Sequence, residues 1–154
     1  AVEASVVSPP TQFLSEKMGF KEIVNITEMD LAYPNPSMAV SGDLIRKKPD
    51  LIDRFMRAYV RGMHRAKTDR EFTIKTLAKY TTITDTAILA KAYDFYMGTV
   101  LEPAPYINMQ GMQNALDDVA RTVPAAKNAK PEQFVDLRFL DRLEKSGLLK
   151  ELYK

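Results

Sequence analysis

The chain has 154 residues, 45% apolar and 27% charged, the make-up of an ordinary globular domain with enough apolar residues for a real core. Its 22 basic and 20 acidic residues leave a formal charge of +2 and form no block, which argues against nucleic acid as a partner. Cysteine is absent, so disulfides, thiolate nucleophiles, zinc–thiolate sites and iron–sulfur clusters are excluded, and no run approaches the roughly 18 apolar residues of a membrane helix.

Val2, Ala4, Val6 and Val7, with Ser5 and Ser8, read as a short buried strand. Pro9 and Pro10 suit the first turn of a helix, where a missing N–H costs nothing. That helix should turn Phe13, Leu14 and Met18 inward and stop at Gly19. Residues 21–27 (KEIVNIT) read as a second strand, so residues 1–27 are expected to form a β-α-β unit. Residues 28–37 hold two prolines and should be an extended crossing. Residues 38–40 read as a third short strand.

After Gly42 the pattern becomes helical. Residues 43–48 suit one or two turns. Pro49 then opens a strong helix to about Lys67, with Leu51, Ile52, Phe55, Met56, Tyr59 and Met63 at spacings of three and four. Asp69 should cap a helix over 70–80, Thr84 or Asp85 one over 85–101, and Asn108 one reaching Val123. Residues 102–107 (EPAPYI) read as a proline-locked loop. Pro131, Phe134, Val135 and Leu137 read as a docking segment. A helix over 137–145, a stop at Gly147 and a short turn over 148–153 complete the chain.

The expected fold class is therefore α/β: a short β-α-β unit followed by a helix-rich lobe. Three strands would leave an exposed sheet edge, open to pairing with a second copy as a homodimer. The chain opens inside a strand-like segment, and reads as the back half of something larger.

Several positions invite a functional reading. Ser8, Pro9, Pro10 and Thr11 place hydroxyls and free N–H groups where a strand becomes a helix, so they suit either a polar ligand or a plain helix cap. Tyr33 and Asn35 flank Pro34, where a ring and an amide could wall a cleft or simply stiffen a crossing. The lone His64 sits beside Arg61 and Arg65 and reads as a solvated helix residue. Most of the eight methionines fall at core spacing; Met38, just after the crossing, is the exception. No nucleophile motif, Walker loop or dinucleotide fingerprint is present. The expectation is a protein that is not an enzyme and needs no cofactor and no metal.

Three strings in this order, VVSPPTQFLSEKMGFKEIVNITEMDLAYPNPS, KKPDLIDRFMRAYVRGMH and AKPEQFVDLRFLDRLEKSGLLKELYK, resemble the solute-binding proteins of ABC importers. The similarity is to the nitrate/taurine/sulfonate branch, also called the pyrimidine-precursor group. That resemblance implies the C-terminal part of a type 2 periplasmic-binding-protein fold. Residues 1–32 would end a second lobe, 33–37 would be a hinge crossing, and 38–154 would belong mainly to a helical first lobe. It implies that Ser8, Pro9, Pro10, Thr11, Tyr33, Asn35 and Met38 meet a small, anionic solute. The implied partners are that solute and an ABC permease of the inner membrane, with no nucleic acid. The implied location is periplasmic or lipid-anchored outside the cytoplasm. The alternative is a stand-alone or domain-swapped interaction module of the same fold with no transport ligand.

Overall fold

The structure, a computed structural model, describes residues 3–29, 31–34 and 37–154. Among these residues the only regular secondary structure is helical, joined by irregular segments, with no strand and no sheet. The α/β expectation, and the β-α-β unit with it, is thereby corrected. Residues 3–8 and 21–25 carry β-branched side chains but form no ladder, and Ile26–Glu28 closes into a 3₁₀ turn. The third expected strand, 38–40, is also irregular. The physical reason is that a strand is completed only by a neighbour's N–H and C=O groups, and none is aligned with these runs. With no sheet among the described residues, there is no sheet edge on which a second copy could pair.

The helices begin and end where local chemistry dictates. Helix α1 (Thr11–Lys17) follows the Pro9–Pro10 turn, and Gly19 leaves it at φ +91°. Leu14 and Met18, expected inside, are exposed. Helix α2 (Gly42–Lys47) is capped by Ser41, whose Oγ accepts the Leu44 N–H at 3.2 Å. Helix α3 (Pro49–Thr68) starts on proline, and Asp69 Oδ1 caps α4 (Arg70–Thr81) by accepting the Phe72 N–H at 3.0 Å. Asp85 caps α5 (Thr86–Phe95), which runs into a π turn over Tyr96–Val100. Asn108 caps α6 (Met109–Val119), which stops four residues short of the expected Val123. Short 3₁₀ turns at Pro124–Asn128 and Pro131–Gln133 lead to α7 (Arg138–Lys145). Gly147, at φ +76°, then allows the turn into α8 (Leu148–Leu152).

The chain divides into two compact units. The first comprises the residues up to Ile26 together with Arg65–Leu101; the second comprises Thr27–His64 and Glu102–Lys154. In the first, the apolar face of α5 (Ile88, Leu89, Ala92, Tyr93) is buried. Thr73 is buried there too, its hydroxyl donating to the carbonyls of Asp69 and Ala66 at 2.9 and 3.1 Å. In the second, Val60 of α3 meets Ala104, Leu140, Leu143 and Leu148, with Met56, Tyr59, Leu149 and Leu152 packed around them. Full burial of one such side chain is worth about 1.5–3 kcal/mol, so each cluster holds its unit together against chain entropy. In the docking segment, Pro131 is buried while Phe134 and Leu137 remain exposed.

Candidate functional site

In the first unit α1 lies along α5 and leaves a cleft of about 270 Å³. Its walls are Phe13, Glu16 and Lys17 from α1, and Asp85, Ala87, Ile88 and Lys91 from α5 and its cap. Spacings of three and four put each set on one helix face. The start of α1 is fixed by the preceding turn, where the Pro9 carbonyl accepts the Tyr96 hydroxyl at 2.9 Å. The Ser8 and Pro10 carbonyls accept the N–H groups of Gln12 and Leu14 at 3.1 and 3.2 Å.

The charges in the cleft are unequally committed. Lys17 Nζ lies 2.6 Å from Asp85 Oδ2, and Asp85 Oδ1 accepts the N–H groups of Ala87 and Ile88 at 3.0 and 3.3 Å. The Lys17 hydrogen bond, and then the backbone donors, hold the Asp85 carboxyl below its ordinary pKa. Glu16 accepts the Gln12 amide at 3.3 Å. Lys91 has no carboxylate partner among the described residues; its ammonium stands 5.7 Å from the centre of the Phe13 ring. The cleft thus offers one uncommitted cation, an aromatic wall and an aliphatic floor from Ile88 and Ala87. Chemically it can hold a small solute with an anionic head on Lys91 and an apolar body against Phe13.

The residues singled out from the sequence fall elsewhere. Ser8 and Thr11 are exposed, Pro9 is buried and Pro10 half-buried, all at the head of α1 in the first unit and outside the cleft lining. Tyr33 and Met38 belong to the second unit and are about half exposed, at 47% and 56%. The Tyr33 hydroxyl donates to Asp118, and this hydrogen bond raises the phenol pKa above its ordinary value. Asn35 lies outside the described residues. The structure therefore gathers Ser8–Thr11 by adjacency alone.

His64 is half-buried rather than solvated, and stacks edge-on against Tyr153 with ring centres 5.1 Å apart. No group of three or more metal-ligating side chains occurs among the described residues. No helix among them is long and apolar enough to cross a membrane.

Sequence reasoning assigned Phe13 and Ile88 to the core and passed over Lys17, Asp85 and Lys91 as ligand contacts. Only the capping position of Asp85 carries a sequence signal. A lysine's lack of a partner becomes visible only after folding. No family model, no curated protein and no solved structure matches this chain.

Proposed function

We propose that the chain acts as a solute-binding component of an ABC importer, of the nitrate/sulfonate/taurine or pyrimidine/aromatic-acid kind. It captures a small anionic solute and performs no covalent chemistry. It works outside the cytoplasm, in the periplasm or lipid-anchored, and hands the solute to a permease of the inner membrane. The order of the three sequence strings supports the importer class. The observation that carries the ligand class is Lys91, a cation without a carboxylate partner among the described residues, standing beside Phe13 in the α1–α5 cleft. Capture by closure requires only that the solute bind the closed state more tightly than the open one.

The test is calorimetric titration of the purified chain with nitrate, taurine, benzoate and a pyrimidine. At least one organic anion is expected to bind, and Lys91→Ala should weaken it by roughly tenfold or more, the scale of a lost charge-assisted hydrogen bond. Lack of binding by every member of the panel, or full affinity in Lys91→Ala, overturns the reading. A ligand-free dimer in native mass spectrometry would turn the proposal toward an interaction module.

A further inference from the structure

We propose that the exposed face of α3 in the second unit is a docking surface for an acidic, amphipathic helix of a partner protein. Arg54, Arg57 and Arg61 are all exposed and sit at i, i+3 and i+7, one above another along the helix. The row spans about 10 Å at the α-helical rise. Among the described residues none of the three has a carboxylate partner, and Asp50, one turn before Arg54, forms no ion pair with it, whereas Asp53 and Arg65 of the same helix do find partners. Asp53 is taken by Arg142 at 3.0 Å, and Arg65 by Asp69 at 2.8 Å. An aligned row of like charges on a folded surface is repulsive unless something neutralises it.

The neighbouring row on the same helix defines the partner further. Leu51 and Phe55 are 42% and 44% exposed, while Ala58 and Gly62 lie beyond them. A Cβ added at Gly62 would meet nothing within 4 Å, so the surface there is open to a close approach. Ile52 and Val60 anchor the opposite face in the interior, which fixes the rotation of the helix and holds the arginine row outward. The complement of this surface is a helix with carboxylates at matching spacing and apolar side chains on the adjoining row. Arginine is among the side chains enriched at interface hot spots, and a docking amphipathic helix engages its partner through apolar anchors at spacings of three and four. Lipid is the less suited occupant, because two part-covered apolar side chains fall short of the continuous apolar face that an interfacial helix buries. This surface is independent of the α1–α5 cleft and stands whether or not that cleft takes a solute.

The test uses the whole chain and a synthetic helical peptide with glutamates at i, i+3 and i+7 and leucines on the adjoining row. Its control is a peptide of the same composition in scrambled order. Fluorescence anisotropy should show the patterned peptide binding at least ~10-fold more tightly than the scrambled one. The triple variant Arg54→Glu, Arg57→Glu, Arg61→Glu should lose that preference with its circular dichroism unchanged; Arg→Gln at the same three positions serves if the glutamate variant does not fold. Three results overturn the proposal. The first is equal binding of both peptides. The second is capture by phosphatidylglycerol vesicles with no peptide preference, which would assign the face to a membrane. The third is concentration-dependent dimerisation that the triple variant abolishes, which would assign it to a second copy.

Discussion

At the scale of single residues, two glycines with similar helical settings have opposite consequences. Gly111 is buried in α6, and a Cβ there would lie 2.5 Å from the Tyr33 carbonyl carbon and 2.7 Å from the Pro34 nitrogen. These are backbone atoms and cannot rotate away. The same segment is held by the Asn114 amide, which donates to the Ala32 carbonyl at 2.7 Å. Gly111→Ala should therefore destabilise the chain by about 1–3 kcal/mol, as an overpacked site does. Gly62→Ala, with open space at its Cβ, should stabilise by about 0.5–1 kcal/mol through helix propensity. Urea midpoints of the two variants check this; equal shifts of one sign would refute the close approach. Nothing in the sequence around Gly111 announces this role, because the atoms that crowd it come from a segment far away in the chain.

At the scale of elements, capping governs the helices and is local enough to be read directly. Asp69, Asp85 and Asn108 each cap where the sequence places a cap. Asn108 Oδ1 accepts the Gly111 N–H at 3.0 Å, so the cap and the close approach at Gly111 share one turn of α6. Asn108→Ala should cost about 1 kcal/mol. Hydrogen exchange should quicken in the first turn of α6, at the Gly111 amide above all, and leave α5 unchanged. A uniform loss of protection across both helices would contradict this local account. The strands failed for a reason at the same scale. Residues 3–8 and 21–25 have β-favouring side chains, but propensity for a strand counts only once a partner strand is in register. Val6 and Ile23, both 82% exposed, show how little those runs bury.

At the scale of the whole molecule, the titratable groups set the pH limits of stability. Asp85 is held below the ordinary carboxylate value of 3.8 by Lys17, and Asp136 likewise by Arg138. Their contribution is complete above the unfolded value and is lost as pH falls through the lower folded values. Tyr33 and Tyr106 are raised above 10.0, chiefly by hydrogen bonds to Asp118 and Glu144, and Tyr153 is raised by burial. Their contribution is complete below the unfolded value and is lost as pH rises through the higher folded values. Urea midpoints should be level between about pH 5 and 9 as far as these groups decide them, and fall on either side. The Tyr153 hydroxyl is buried with no hydrogen-bond partner among the described residues. Tyr153→Phe should therefore reduce the alkaline fall without loss of stability at neutral pH. A midpoint that drops more steeply at high pH in this variant would contradict the assignment to burial.

The sequence by itself determined the absence of cysteine chemistry, the positions of the α-helices, α1 after Pro9–Pro10 included, and most of their caps. These depend on periodicity and on hydrogen bonds within a few residues, which a sequence carries directly. The tertiary structure decided whether the valine- and isoleucine-rich runs find partners, which helix faces line the α1–α5 cleft, and which cations stand alone. Lys91 and the row Arg54, Arg57 and Arg61 read in the sequence as ordinary surface charge. Only folding shows that Asp85 goes to Lys17 and Asp53 to Arg142, leaving these cations without a carboxylate among the described residues. Strand pairing, and the ion pairs Lys17–Asp85 and Asp53–Arg142, are settled by neighbours distant in the chain, and a distant neighbour is the one thing that local sequence chemistry does not specify.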